Sequence, residues 1–437
     1  MRGDFMDSIW QTEDLKKPRF GSLHGKTQTD VLVIGGGICG LLCAYMLKER
    51  GVRCILAEAR DICGGVTSGT SAKITAQHGL IYNRLFKKFG AEGAKKYLAA
   101  NLWATEKYAE ICKDIQCDFE RQDSFVYSSI GKREIENEAD ALRKIGFHSV
   151  ICDTLPIPIK NAVGIGFSNQ GQFNPLKFAY SIASELEIYE NTRILSIEGK
   201  AAISDKGEIN AENIIVATHF PFINKRGLYF LKMYQSRSYV TAIKGAKKIS
   251  GTYIGADKNS FSFRGYNDIL LIGGGAHRTG ESGSCWADTD RLIKKSYPEA
   301  STEAKWATQD CITPDGVPYI GKYSLSSKNL YVATGFNKWG MSSSMVAAQI
   351  LSELLCTGKS DFADLFSPSR GILSPKIAIN AAKSIVNLLK PTSPRCPHLG
   401  CALKYNKAEH TWDCPCHGSR FEENKRLIDG PATKDMK

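Results

Sequence analysis

Residues 29–58 read TDVLVIGGGICGLLCAYMLKERGVRCILAE, and the order of residue types in this stretch decides the fold. Residues 31–34 are all apolar, as in a strand buried on both faces. Gly35, Gly37 and Gly40 follow in G-x-G-x-x-G spacing. Residues 41–50 predict a helix stopped by Gly51, and 52–57 a second strand ending at Glu58. Strand, turn, helix, second strand and terminal acid stand in the order that a dinucleotide site requires. The first glycine makes the tight turn. The second admits a pyrophosphate to the backbone, and the third lets helix and strand pack closely. The helix N-terminus offers free N–H groups and partial positive charge to the phosphates. Glu58, 18 residues after Gly40, can accept hydrogen bonds from ribose hydroxyls.

Downstream, residues 60–79 (RDICGGVTSGTSAKITAQHG) are rich in Gly, Ser and Thr, so a planar ring or a phosphate can come close. Residues 306–358 hold a second strand–glycine-loop–helix: a turn at 313–318, a strand at 329–334, glycines at 335–340 and a helix at 341–355. The N-terminus of that helix suits a ring edge where negative charge develops on reduction. Between these segments, helices are expected at 80–113, 132–145 and 173–186, the last with Asn174 as N-cap and Pro175 in its first position. Strands are expected at 117–129, 187–198, 212–221, 229–244 and 262–274. Residues 1–29 form a polar arm with Trp10 and Phe20 as anchors. No internal repeat is visible.

Composition sets the wider limits. The chain has 437 residues, enough for two or three domains, and 43% of them are apolar. The net charge is +12, but Lys and Arg are spread along the chain, which reads as a solvated basic surface rather than a nucleic-acid site. The N-terminus has no apolar signal region, and no run of about 18 apolar residues suggests a membrane span. A cytoplasmic location is expected. Of fourteen cysteines, ten are scattered between Cys39 and Cys356 and read as small buried residues or free thiols. The other four fall within positions 396–416 and require a different explanation.

The matches in residues 30–58 and 65–79, the strand end at Ala217 and Thr218, the Thr313-Pro314-Asp315-Gly316 turn with Pro318 and Gly321, and residues 333–341 together resemble a known family. Residues 30–360 are similar to the FAD-dependent oxidoreductases related to D-amino-acid oxidase and glycine oxidase. The resemblance implies an α/β fold with an α+β substrate domain: a Rossmann-like FAD-binding domain built from segments 30–80, 150–225 and 306–366, interleaved with a mixed-sheet substrate or cap domain at 81–149 and 226–305. It implies that Gly35, Gly37, Ile38, Gly40 and Glu58 hold the ADP half of FAD. Thr67, Ser68, Ser71 and Lys73 lie near the pyrophosphate and ring, and Gly335, Gly340 and Met341 line the flavin from the other side. Family members oxidise a C–N bond of an amine or amino acid by hydride transfer, with positioning of the substrate doing most of the catalysis. Substrate-side candidates are Arg237 and Tyr239 on one strand, Arg264 on the next, and His277. An arginine can clamp a carboxylate in bidentate fashion, although an ordinary sheet role suits each of the four equally well. For His78 and His219, near the ring loops, a structural role is expected.

The C-terminal cysteines stand in CPHLGC (396–401) and CPCHGS (414–419). Each group mixes Cys with His, whereas a zinc finger keeps its cysteines in one pair and its histidines in the other. The mixture suits a [2Fe–2S] centre with two cysteines on one iron and two histidines on the second, zinc being the alternative. The two loops resemble the Rieske family. That resemblance makes Cys396 and Cys414 ligands of the first iron, His398 and His417 ligands of the second, and Cys401 with Cys416 the disulfide between the loops. It also matches Ser419 to the serine that donates to a bridging sulfide, and Gly430-Pro431 to the loop that covers the cluster. Phe421 replaces the tyrosine of high-potential members, which lowers the expected potential. The small all-β module covers 392–437, after a linker with an amphipathic helix at 367–391.

A flavin takes electrons in pairs and a Rieske centre passes them singly. The combination suggests an oxidoreductase that oxidises a small amine or amino acid and hands electrons through the cluster to a separate redox protein. Two other readings stand beside it: electrons entering through the cluster to feed a flavin reductase or oxygenase, and a redox-sensing binding protein.

Overall fold

The computed structural model describes residues 7–224, 226–371, 375–391 and 394–437. The first residues of the arm (1–6), the end of the segment 150–225, part of the linker (372–374) and the first two residues of the expected module (392–393) lie outside the described residues. The motif of residues 29–58 forms strand Gly25–Ile34, helix Ile38–Lys48 and strand Cys54–Ala57, with Val31 beside Cys54 and Ile34 beside Ala57 in parallel register. Residues 31–34 are buried on both faces because helices cover one side of the sheet and a second apolar cluster fills the other. A Cβ added at Gly40 would stand 1.9 Å from the Gly35 carbonyl oxygen, so this helix lies on its strand at a distance only glycine permits.

This strand is central in an eight-stranded sheet. Its order runs Tyr319–Lys322, Leu330–Thr334, Gly207–Val216, Gly25–Ile34, Cys54–Ala57, Glu187–Tyr189, with a side hairpin of Ile194–Glu198 and Ala201–Ser204 on Gly207–Val216. The stretch expected as one strand at 187–198 is thus two. Helix Gly340–Thr357 packs beside Ile38–Lys48, bringing the two glycine-loop motifs together. Helix Pro175–Ala183 starts as its sequence dictates, with Asn174 Oδ1 accepting from the Leu176 and Lys177 N–H groups.

The second sheet has nine strands, in the order Ser301–Ile312, Tyr234–Lys244, Ile269–Arg278, Ser262–Tyr266, Thr252–Gly255, Glu120–Ser128, Val163–Gln172 and Lys73–Ile74, with Val150–Cys152 also on Val163–Gln172. Sheet membership differs here from the expected segment limits. Val150–Cys152, Val163–Gln172 and residues 306–312, expected in the FAD-binding segments, belong to this second sheet. Val163–Gln172 escapes a sequence reading because Gly164 and Gly166 interrupt it. Those glycines leave room for the Leu155 side chain and the Phe125 ring, each within 3.0 Å of where a Cβ would stand.

The arm is anchored at Trp10, fully buried, whose indole N–H donates to the Thr70 carbonyl and whose ring meets Tyr266 edge-on. Helix Pro375–Leu389 leads to a four-stranded antiparallel sheet, Lys404–Asn406, Thr411–Asp413, Arg420–Glu422 and Leu427–Asp429. Its core is small: Leu403, Phe421, Ala432 and Met436 around the four cysteines.

Candidate functional site

Between the two large sheets lies a cavity of about 780 Å³. Gly35, Gly37, Ile38, Glu58, Thr67, Ser71, Lys73, Gly340 and Met341 all line it. Gly40, Ser68 and Gly335 are not part of the lining. The Ile38 N–H donates to Thr67 Oγ1, which ties the first glycine turn to the Ser/Thr-rich loop. Glu58 accepts from the Gly36 and Arg60 N–H groups and keeps lone pairs for a ligand hydroxyl. Lys73 donates to Ser71 Oγ; burial, then the neighbouring Arg264 charge, pushes its ammonium down to about 7.

Of the four substrate-side candidates, Tyr239 lines this cavity and Arg237, Arg264 and His277 do not. Arg264 is fully buried and spends its donors on Gln172 and the Ser71 and Phe173 carbonyls. Arg237 makes a two-pronged ion pair with Glu409 of the C-terminal module. Tyr239 donates to the same carboxylate at 2.9 Å, and His277 stands 3.0 Å from the Tyr239 hydroxyl. Arg237 and Tyr239 hold the C-terminal module in this geometry, and His277 backs the Tyr239 hydroxyl. His78 is satisfied as expected, by Tyr97, Ser342 and the Thr75 carbonyl. His219 is not: its Nε2 is buried without a partner and its backbone is left-handed at φ 62°.

Strand Ser301–Ile312 supplies a charged group the sequence reading passed over. Thr308 and Asp310 line the cavity, while Gln309 between them points the other way and donates to the Gly418 carbonyl. No hydrogen bond or ion pair from a described residue holds the Asp310 carboxylate. Burial raises its pKa against the opposing pull of Lys338, His219 and Arg237. Lys338 also lines the cavity and donates to Ser238 Oγ.

The two cysteine–histidine loops meet at the edge of this sheet. Cys401 and Cys416 are joined in a disulfide. Their sulfurs and that of Cys414 lie within 4.8 Å of one another, and once the disulfide is made the thiols left are those of Cys396 and Cys414. The His398 and His417 rings lie 5.1 Å apart, nearly perpendicular. His398 Nδ1 and both His417 nitrogens are buried without partners. His398 Nε2 pairs with Asn224 Oδ1 at 2.8 Å, a contact to the body that nothing in the sequence announced.

A model of the family described as FAD dependent oxidoreductase (DAO) matches residues 30–354, and one of the Rieske [2Fe-2S] domain matches 378–437. A Bacillus subtilis (strain 168) protein named as a Rieske 2Fe-2S iron-sulfur protein, YhfW, is 34% identical, covering 99% of this chain and 97% of its own. The chain belongs to the FAD dependent oxidoreductase family and carries a C-terminal Rieske domain. Among solved structures, glycine oxidase from Geobacillus kaustophilus matches with a TM-score of 0.66 at 18% identity, over 79% of this chain and all of that one. L-Proline dehydrogenase from P. horikoshii matches with 0.65 at 18%, over 80% and 98%. These two show the fold. FAD and a Rieske-type cluster are therefore the cofactors. The Rieske match begins at 378, inside the helix, rather than at the expected 392.

The residues present fit both groups. The cavity joins the dinucleotide turn to the second glycine loop. The cluster loops offer two thiols and two histidine rings with unpartnered nitrogens, and Ser419, fully buried, adds a hydroxyl that accepts from the Ala432 N–H. Body and module are joined by Gln235 to the His417 carbonyl and Arg278 to the Pro415 carbonyl. Gly418, at φ 83°, faces Gln235 so closely that a Cβ would stand 2.6 Å from that side chain. Loop 429–433, which carries Gly430-Pro431, reaches round the sheet edge and lines the FAD-side cavity beside His219 and Phe220.

Proposed function

We propose that the protein oxidises a C–N bond of an amine or amino acid and delivers the electrons singly, through the Rieske cluster, to an external redox protein. Bound FAD would supply the hydride acceptor and the cluster the one-electron outlet. In this reading Cys396 and Cys414 hold one iron and His398 and His417 the other. The carrying observation is that one cavity is lined both by the dinucleotide turn and by loop 429–433 of the Rieske domain. Glycine oxidase and L-proline dehydrogenase, which share the fold, act by name on amino acids and support the C–N reading.

The chain's own part is positioning. Arg237 and Arg264 are engaged elsewhere, and of the cations lining the cavity (Arg60, Lys73, Arg84, Arg193 and Lys338) we assign an α-carboxylate to Lys338, whose charge reaches Asp310. Asp310 offers an unshared carboxylate to an amine N–H. His417 lies between the Phe220 and Phe230 rings, at centroid distances of 6.2 and 5.9 Å, which exclude water from that side of the cluster. A Cys414→Ala chain that keeps its flavin tests the outlet. Amine should still bleach the flavin while reduction of the acceptor is lost. Acceptor reduction at an undiminished rate would overturn the proposal.

A further inference from the structure

Helix Pro375–Leu389 sits on the body with its polar side inward. Asn380, Ser384 and Asn387 are buried. Asn380 accepts from Arg278, Lys383 pairs with Glu281, and the Asn387 carbonyl accepts from the Ala402 N–H. The apolar side faces outward: Ile379, Ile385, Val386 and Leu389 are 51%, 56%, 56% and 78% exposed. An amphipathic helix of a globular protein ordinarily shows the core its apolar stripe, so this orientation leaves an apolar face to be covered. The face continues into the first cluster loop. Arg395 donates to the Leu388 and Gly400 carbonyls and locks the helix end to that loop, whose tip carries exposed Leu399.

Charge selects the occupant. Residues 365–408 contain no Asp or Glu, and Lys390, Lys404 and Lys407 within them are exposed. Lys390 stands at the C-terminal end of the helix. We propose that this face is a lipid-binding surface that seats the protein on a bilayer bearing anionic headgroups. A helix about 22 Å long, aliphatic on one side and followed by Lys390, whose stem can reach up to headgroups, suits shallow immersion in the interface. The exposed apolar side chains of the helix are all aliphatic, without the aromatic anchors that ordinarily centre a protein contact. Among the described residues no helix is long and apolar enough to cross a membrane, so the association is with the surface.

The test uses the whole holoprotein and sedimentation with vesicles of phosphatidylcholine alone or mixed with phosphatidylglycerol. The expected result is binding to the mixed vesicles, weakened by salt and by their omission of phosphatidylglycerol. Val386→Ser with Leu389→Ser should lower binding by at least about tenfold, two exposed aliphatic side chains having lost their burial. Flavin content and melting temperature should stay unchanged, and Lys390→Glu should weaken binding and flatten its salt dependence. The proposal is overturned if the protein stays in the supernatant, if both vesicle types bind it equally, or if the double variant sediments like wild type. It is also overturned if the protein alone is a dimer that the double variant dissociates, since a second copy then covers the face.

Discussion

At Glu409 one carboxylate meets two guanidinium groups, those of Arg237 on the body and Arg420 in the Rieske domain, with the Tyr239 hydroxyl as a further donor. Burial alone would raise this carboxyl; Arg237 and Arg420 outweigh it and hold it at about 2. The folded value lies below the unfolded value of about 4.3, so the contribution is complete above that pH and is lost as pH falls toward 2. We expect acid to loosen the domain contact across that window, by about 3 kcal/mol at the bottom of it. Glu409→Ala should cost roughly 3–5 kcal/mol at neutral pH, because it leaves buried guanidinium charge without a partner. Limited proteolysis near the linker and thermal unfolding against pH check both outcomes; equal acid sensitivity in wild type and variant would contradict them. Asp310→Asn keeps the shape and removes the charge. If Asp310 receives the amine, KM for a cationic substrate should rise by roughly ten- to a hundredfold at unchanged flavin content, which steady-state kinetics would read.

At the scale of elements, the first glycine motif is the firmest part. Gly40→Ala forces a Cβ against the Gly35 carbonyl, so helix Ile38–Lys48 must move off its strand. The purified variant should carry far less flavin per chain and lose about 1–3 kcal/mol of stability, as absorbance and denaturant unfolding would show. This motif was legible because all its parts are consecutive in the chain. Helix Pro175–Ala183 was legible for the same reason, its cap and first-turn proline being adjacent. Strand Val163–Gln172 was hidden because its glycines serve the neighbouring Phe125 and Leu155, a fact of tertiary packing. The Arg237–Glu409 pair spans 172 positions, and only folding reveals which of many charges are partners. The cluster loops were legible by residue type and spacing, but the Asn224 contact to His398 was not.

At the scale of the whole molecule, the end of the nine-stranded sheet is a shared wall. Its strands turn Ser238, Thr308 and Asp310 toward the FAD-side cavity, and Arg237 and Gln309 toward the Rieske domain. In the proposed function this wall couples two-electron oxidation on one side to one-electron outflow on the other. The most direct measurement is freeze-quench EPR of the anaerobic holoprotein mixed with an amine or amino acid that bleaches its flavin, with no external acceptor present. The account predicts the rhombic signal of a reduced Rieske cluster on the timescale of turnover, slowed in Glu409→Ala. A bleached flavin beside a cluster that stays EPR-silent through many turnover times would contradict it.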